Sequence, residues 1–197
     1  MDARELFLLS DAALRTVIDT LTPSDLDLAA PAEWSTGHRS ASLTLSDIVL
    51  RHAYDEAWIP DLVAGRTIEE VGDRWKPVLK SDDPIGTYDA IHDGATAAIS
   101  APDLDQGMTL HFSYGDYPFR AGILHPTSYR AFQSWQIARL VGSPFHFSPV
   151  LIAGLNELLL PIVPMLRGFG VFPPEQQPPA AADRETRLLC AVGYWHD

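Results

Sequence analysis

The segment LHFSYGDYPFRAGILHPTSYRAFQSWQIARLVG, residues 110–142, joins a predicted strand to the most informative helix of the chain. Apolar residues alternate with polar ones ahead of a Gly-Asp turn, and they are Leu110, Phe112 and Tyr114. This alternation predicts a short strand or hairpin arm. A predicted helix follows and extends to about Val141, so the segment places a hairpin directly before a helix.

The predicted helix carries a row of polar side chains. His125, Tyr129 and Gln133 recur every four residues and Gln136 lies one turn beyond Gln133, a spacing that puts them on one face. Buried polar groups without partners cost about 1 to 3 kcal/mol each, so such a row inside a bundle implies hydrogen-bond partners or a ligand. A hydrogen-bonded network of Arg51, Tyr129 and Gln133 that satisfies itself explains the pattern equally well. Pro126 is expected to delay the helix and leave His125 in a loop.

Amphipathic or capped segments on both sides of this region predict further helices. They are a first helix from about Ala3 to Leu21, a second from Ser46 to about Val63, a third that begins at Asp83-Pro84, a fifth from Val150 to about Arg167, and a short final helix over 183–192. A loop through Trp34 and Gly37 joins the first two helices, and the Pro-rich residues 172–181 form a linker before the last. Four principal helices predict an all-α helix bundle, as one domain over residues 1–197.

The composition excludes several classes of partner. The formal net charge is -12, from 26 acidic and 14 basic side chains, so the average field repels nucleic acid and anionic membranes. Cys190 is the single cysteine, which excludes an intrachain disulfide and a multi-thiolate zinc site. The N-terminus lacks a basic signal-peptide region, and the proline-interrupted apolar run over 158–166 is too short to span a bilayer. We expect a soluble cytoplasmic protein with a small-molecule partner; a homodimer stays open.

Four segments in order resemble one protein family. They are AWIPDLVAGRTIEEVGDRW from Ala57, DDPIGTYDA from Asp82, HFSYGDYPF from His111, and the helix that follows. The chain resembles the DinB-like, mycothiol-dependent maleylpyruvate isomerase family of actinobacterial type. This resemblance implies an up-down-down-up four-helix bundle with a short hairpin before the fourth helix. It also implies an active site where ligands from helices two and four meet a divalent metal, with a low-molecular-weight thiol such as mycothiol as co-substrate.

The metal ligands that the resemblance implies are replaced in this chain. A family pattern close to D-x-x-x-H-x-W-D-L-A aligns its acidic residue with Tyr129 and its histidine with Gln133. Ungapped counting from the DLVAG segment places the third ligand, a histidine, on Arg51, with His52 one residue late and therefore roughly 100° away around the helix. Arginine has no acceptor atom for a cation, and tyrosine and glutamine are poor zinc ligands. We therefore expect no metal cofactor.

The preferred interpretation is a metal-independent isomerase, cyclase or transferase that acts in the bundle cavity. Arg51 would take over the positive charge of the metal, and Tyr129 and Gln133 would donate hydrogen bonds to charge that develops in the transition state. His52 or His125 would serve as general acid or base. The substrate-binding residues would be Asp55, Trp58, His125, Gln136 and Tyr114.

Two alternatives stay open at this stage. One is a non-catalytic protein that binds a hydrophobic small molecule in the same cavity, and the other is a metal-dependent thiol transferase in which His52 coordinates the ion. Asp55 and Glu56 are adjacent and cannot share a helix face, which argues against a carboxylate pair made by these two. His92 in the third helix is expected to face solvent.

Overall fold

Four long helices dominate the computed structural model, which describes residues 1–31, 34 and 43–195. In chain order the elements are α1 (Ala3–Ile18), α2 (Leu45–Val63), α3 (Ile68–Val71), α4 (Pro84–Ser100), β1 (Thr109–Phe112), β2 (Gly115–Pro118), α5 (Phe119–Gly122), α6 (Leu124–Val141), α7 (Pro149–Gly154), α8 (Val163–Gly168) and α9 (Arg184–Val192). The chain is 61% helical with one small antiparallel hairpin, so the mainly α class is confirmed. Gly37 of the expected loop lies outside the described residues.

Helix starts follow local capping chemistry. As predicted, Asp83 caps α4, where its side chain accepts from the Gly86 amide. The final helix also begins where predicted, after Asp183, whose side chain accepts from the Thr186 amide. The predicted start of α2 at Ser46 is wrong by one or two residues. Thr44 caps this helix instead, because its hydroxyl and the Asp47 carboxylate form a reciprocal capping box.

The predicted delay of the fourth long helix at Pro126 is also wrong. Helix α6 begins at Leu124, directly after the short α5, so Pro126 lies in its first turn and His125 is helical. Proline is tolerated there because the amides of a first helical turn have no intrahelical acceptor.

The hairpin packs beside the long helices. Strands β1 and β2 are antiparallel, with Thr109 opposite Pro118 and Phe112 opposite Gly115. This pairing confirms the strand predicted from the alternation of apolar residues. The linker over 172–181 is irregular, as predicted, although Phe172 is buried in the apolar core.

Residues 149–168 form one helical stretch that is longer than the apolar run considered above. With 20 residues and a mean hydropathy of 1.8, it is long and apolar enough to cross a membrane by those two criteria alone. Its inner face packs into the core, through Leu151, Leu155, Leu159 and Val163. The core helix of a soluble protein has the same properties, so a soluble protein stays plausible. As predicted, Pro161 and Pro164 lie where this stretch is distorted, which includes a 3-10 turn at Leu160–Ile162.

The long helices pack in pairs around two apolar clusters. Helix α1 lies along α6 and α2 lies along α4, while α1 also contacts α4 and α2 contacts α6. The first cluster contains Phe7, Ile59, Ala95 and Phe132, and the second contains Leu14, Ala53, Tyr88 and Ile137. Helices α1, α2 and α4 carry buried polar residues between their contributions to the two clusters, namely Asp11, Glu56 and His92, and α6 carries the buried Arg130. A polar layer therefore crosses the helix assembly.

Candidate functional site

Arg130 on α6 forms the centre of the buried polar layer. Its side chain is 0% exposed. Nε donates to Oε1 of Glu56 at 2.8 Å and to Oδ1 of Asp11 at 3.3 Å, and Nη1 donates to the Pro126 carbonyl at 3.2 Å. The guanidinium carbon also lies 4.8 Å from the centre of the Phe7 ring. One cation therefore joins carboxyl groups from α1 and α2.

A chain of polar contacts extends this layer to α4. Thr96 Oγ1 donates to Oδ2 of Asp11 at 3.0 Å and lies 3.4 Å from Nε2 of His92. The Tyr88 hydroxyl lies 3.3 Å from Nδ1 of the same imidazole. The contacts are all satisfied when the His92 proton is on Nε2 and the Tyr88 hydroxyl donates to Nδ1. His92 is thus buried, and the expectation that it faces solvent was wrong.

Burial controls the ionisation of this layer. It raises the pKa of Glu56 to about 8; the Arg130 charge opposes this rise and the Asp11 carboxylate adds to it. Burial disfavours the charged form of Arg130 as well, but Glu56 and Asp11 outweigh it and the pKa of the guanidinium is raised. Within the described residues, Oε2 of Glu56 and Nη2 of Arg130 have no hydrogen-bond partner. The layer is therefore charged but not fully hydrogen-bonded.

A second polar group lies between α2 and α6, around His52. The imidazole is 0% exposed and stacks on the Tyr129 ring, with centroids 4.4 Å apart and planes 24° apart. Neither ring nitrogen has a hydrogen-bond partner among residues 1–31, 34 and 43–195. Burial, helped by the Arg130 charge, holds the pKa of His52 well below its usual range. The imidazole is therefore neutral at physiological pH.

The expectation that Arg51 rather than His52 faces the interior was wrong. His52 shares the buried face of α2 with Leu45, Ile48, Val49, Glu56 and Ile59, whereas Arg51 is half-buried on an adjoining face. The charge of Arg51 nevertheless acts on Tyr129 and Asp55, since it lowers the pKa of both side chains. Both candidates thus border the same group of side chains.

Asp55 connects Arg51 to the remaining predicted substrate-binding residues. It lies one turn beyond Arg51 and is half-buried; burial raises its pKa to about 6 despite the opposing charges of Arg130 and Arg51. The Asp55 charge in turn helps to raise the pKa of Tyr129 and of Tyr114, for which burial is the main cause. Trp58 follows three residues later on α2, and its buried Nε1 has no partner among the described residues.

Aromatic side chains of the hairpin border this group. Tyr114 is 59% exposed, and its hydroxyl lies 3.2 Å from Nδ1 of His125. The rings of Phe112, Tyr114 and Tyr117 lie 4.7 to 5.7 Å from the His125 ring. Burial lowers the pKa of His125. We use the name aromatic cleft for this group of side chains on α2, α6 and the hairpin, which consists of Arg51, His52, Asp55, Trp58, Tyr114, His125 and Tyr129.

The polar row predicted on α6 is divided in the structure. His125 and Tyr129 belong to the aromatic cleft, where their partners are Tyr114 and His52. Gln133 is 2% exposed, and its side-chain Nε2 donates to the side-chain Oε1 of Gln136 at 3.3 Å. The two glutamines therefore satisfy each other in part, and this pair is not the network of Arg51, Tyr129 and Gln133 that the sequence left open.

The residues at the implied ligand positions do not fit a divalent metal. At these positions Arg51 has no acceptor atom for a cation, Tyr129 stacks on His52 and Gln133 bonds to Gln136. Next to Arg51, His52 is the one side chain of this group that is an ordinary metal ligand. In the described part of the chain, the group of three His, Cys, Asp or Glu ligands that lie close together is Asp11, Glu56 and His92, and it does not include His52.

Sequence reasoning missed Asp11, Glu56, His92 and Arg130. Adjacent Asp55 and Glu56 do not pair with each other, as expected, but Glu56 joins Asp11 of another helix through Arg130. A signal was present in the periodicity of α1, since Asp11 lies between Phe7 and Leu14 on its apolar stripe. The position of Arg130 next to Tyr129 gave no such signal.

Comparison with known proteins finds no match: no family model, no curated protein and no solved structure corresponds to this sequence. The side chains of the polar layer and of the aromatic cleft are therefore the basis for assigning a function.

Proposed function

We propose that the protein is a small-molecule-metabolising enzyme of DinB-like fold that performs metal-independent acid–base chemistry in the aromatic cleft, as an isomerase, cyclase or transferase. One observation carries the proposal: His52 is buried against Tyr129 with both ring nitrogens unpartnered among the described residues, beside the titratable Asp55. Buried polar groups normally have partners, and those left without one mark places where a ligand or ordered water completes the hydrogen bonding.

The order and packing of the helices support the DinB-like assignment. The pairs α1–α6 and α2–α4 give a four-helix assembly with the hairpin directly before the fourth long helix, which is the order that the family resemblance implies. The aromatic cleft is built from α2 and α6, the second and fourth long helices. The resemblance implies the active site at this same pair of helices.

The cleft contains both a base and hydrogen-bond donors. Asp55, with a pKa of about 6, is ionised at neutral pH and acts as the general base. Arg51 is the cation for a substrate carboxylate or oxyanion, and the Tyr129 phenol, whose pKa is raised, stays protonated and donates to developing negative charge. Neutral His52 accepts or donates one hydrogen bond and orients the substrate.

The outer residues of the cleft determine access. The Trp58 indole supplies a further donor, since its nitrogen has no partner among the described residues. Tyr114 and His125 hold the hairpin against α6 through their 3.2 Å contact and limit the size of a substrate. These roles agree with a small planar acid whose reacting carbon lies next to a carbonyl group.

Deuterium exchange tests the proposal without knowledge of the natural substrate. The protein is incubated in D₂O with a panel of small 2-oxo acids and unsaturated dicarboxylates, with and without a low-molecular-weight thiol as proposed co-substrate, and deuterium at carbon is measured by mass spectrometry. We expect exchange with at least one acid, at a rate that rises with pH through about 6 as Asp55 ionises.

Matched variants assign the exchange to the cleft. Asp55→Asn and Arg51→Met should each reduce it by about 100-fold or more, in the range of general-base catalysis. Asp93→Asn, which changes an exposed carboxylate on α4, should leave it unchanged. Exchange that survives Asp55→Asn refutes the proposed base. Tight binding of a panel compound without exchange would favour the non-catalytic binder instead.

The metal-dependent alternative has its own test, because His52 does face the interior. Elemental analysis of protein purified without chelator should find well under one equivalent of zinc, nickel or iron. A stoichiometric metal that is lost in His52→Gln would restore the thiol-transferase interpretation, whatever the exchange experiment shows.

A further inference from the structure

We propose that Asp11, Glu56 and His92 form a metal-type site whose cation is the guanidinium of Arg130, and that removal of this guanidinium opens the site to a divalent metal ion. None of the three ligands is a residue of the aromatic cleft, and the site does not rest on the reaction proposed there.

The first support is the geometry of the ligand atoms. One ligand atom from each of Asp11, Glu56 and His92 lies within 4.8 Å of the other two, and all three residues are buried. Two carboxylates and one imidazole are an ordinary ligand set for zinc and related ions. Small side-chain rotations bring such atoms to a common ion at about 2.0 to 2.2 Å.

The second support is the incomplete fit of Arg130. Its Nε bonds to Glu56 and Asp11, whereas Nη2 has no partner among the described residues. Oε2 of Glu56 is also buried and has no hydrogen-bond partner among the described residues. The guanidinium therefore occupies the position between the carboxyl groups without satisfying all of their acceptor capacity.

The third support is the orientation of the ligands by neighbouring groups. Thr96 donates to Asp11 at 3.0 Å and lies 3.4 Å from Nε2 of His92, so one hydroxyl holds both residues. Nδ1 of His92 then lies 3.6 Å from Oδ2 of Asp11. An ion at this nitrogen would replace its 3.3 Å contact with the Tyr88 hydroxyl. Histidine ligands characteristically use one nitrogen for the metal and the other for such an orienting partner.

Competition for the same oxygens would keep an ion out of the native chain. Arg130 Nε lies 2.8 Å from Oε1 of Glu56, so an ion and the guanidinium cannot occupy that position together. Arginine stays charged at all physiological pH values and cannot give up its place by losing a proton.

The test uses the full-length chain and Zn²⁺ as probe. Arg130→Met keeps much of the side-chain length but removes the charge, whereas Arg130→Lys retains a cation. After dialysis against Zn²⁺ and removal of free metal, Arg130→Met should retain about one equivalent, with an affinity at least about 100-fold above that of the native chain. The native chain and Arg130→Lys should retain little, and Arg130→Met combined with His92→Gln should lose most of the binding.

Two results would overturn the proposal. One is folded Arg130→Met that binds Zn²⁺ no better than the native chain, and the other is binding that does not depend on His92. Should Arg130→Met fail to fold in metal-free buffer, refolding from urea with and without Zn²⁺ decides the matter. Recovery that requires zinc supports the site, because metal binding then supplies the missing charge, and recovery in neither buffer overturns it.

Discussion

The buried carboxyl group of Glu56 makes the stability of the protein dependent on pH in a direction opposite to that of most carboxylates. Burial raises its pKa in the folded state from 4.5 to about 8. Between these values the folded chain holds a proton that the unfolded chain has released, so the free energy of unfolding falls as pH rises. The stabilisation is complete below about pH 4.5 and is lost by the time the pH has passed through about 8.

The size of the effect follows from linkage. Each pH unit in that interval contributes up to about 1.4 kcal/mol, which gives an upper value of roughly 5 kcal/mol across it. A domain of ordinary stability, about 5 to 15 kcal/mol, would lose a large fraction of its stability over this range. Asp55, whose pKa is raised to about 6, also makes the free energy of unfolding fall as the pH rises towards that value.

Glu56→Gln isolates the contribution of this one group. Glutamine resembles protonated glutamic acid in shape and in carrying a hydrogen-bond donor, but it does not titrate. Urea unfolding followed by circular dichroism at pH 5, 6, 7, 8 and 8.5 should show a much flatter pH dependence for this variant above pH 6. Glu175→Gln, at an exposed position, should retain the dependence of the native chain. Equal slopes for the native chain and Glu56→Gln would refute the assignment.

Three further predictions follow from single side chains. Tyr129→Phe should abolish exchange in the cleft with little change in melting temperature; a much lower melting temperature with full exchange would make the hydroxyl purely structural. Gly94→Ala should stabilise α4 by about 0.5 to 1 kcal/mol, since nothing lies within 4 Å of the added carbon, whereas Gly193→Ala should destabilise, because φ is +85° and the new carbon would lie 2.5 Å from the Pro174 carbonyl. Thr44→Ala should cost about 1 kcal/mol by removing the cap of α2, and unfolding curves that match the native chain would contradict this.

Local signals predicted the parts of the fold that depend on neighbouring residues. Asp83-Pro84 and Asp183 begin helices because capping involves only the next three residues. The same logic identifies the start of α2, since Thr44 and Asp47 have the spacing of a capping box, whereas Ser46 matches only as a residue type.

The orientation of α2 was predictable from its own periodicity. The apolar positions Leu45, Ile48, Val49 and Ile59 define a stripe to which His52 and Glu56 belong and Arg51 does not. Ungapped alignment on the DLVAG segment, which begins ten residues after Arg51 at the end of the same helix, predicts an inner residue that is wrong by one position. Periodicity within the helix is the more direct physical criterion, because it reports which face is buried.

The pairing of the charged residues was not predictable from spacing. Asp11 and Glu56 are 45 positions apart and Glu56 and Arg130 are 74 apart. Their contact depends on how α1, α2 and α6 pack, and an arginine in a polar row is ordinarily a solvent-exposed residue. The structure instead places Arg130 among carboxyl groups that offset the cost of burying its charge, which is the condition under which a buried cation is stable.

Arg130 also connects the polar layer to the aromatic cleft through its electric field. It directly follows the cleft residue Tyr129 on α6. Its charge lowers the pKa of His52 and of Asp55. Burial favours the neutral form of both groups, which lowers the pKa of His52 and raises the pKa of Asp55. The Arg130 charge lowers both pKa values, so it adds to the effect of burial on His52 and opposes the effect of burial on Asp55. His52 therefore stays neutral throughout the physiological range while Asp55 changes its charge near pH 6. Of these two side chains, Asp55 alone supplies a titration near pH 6, so an activity that rises through that pH reports the state of this carboxyl group.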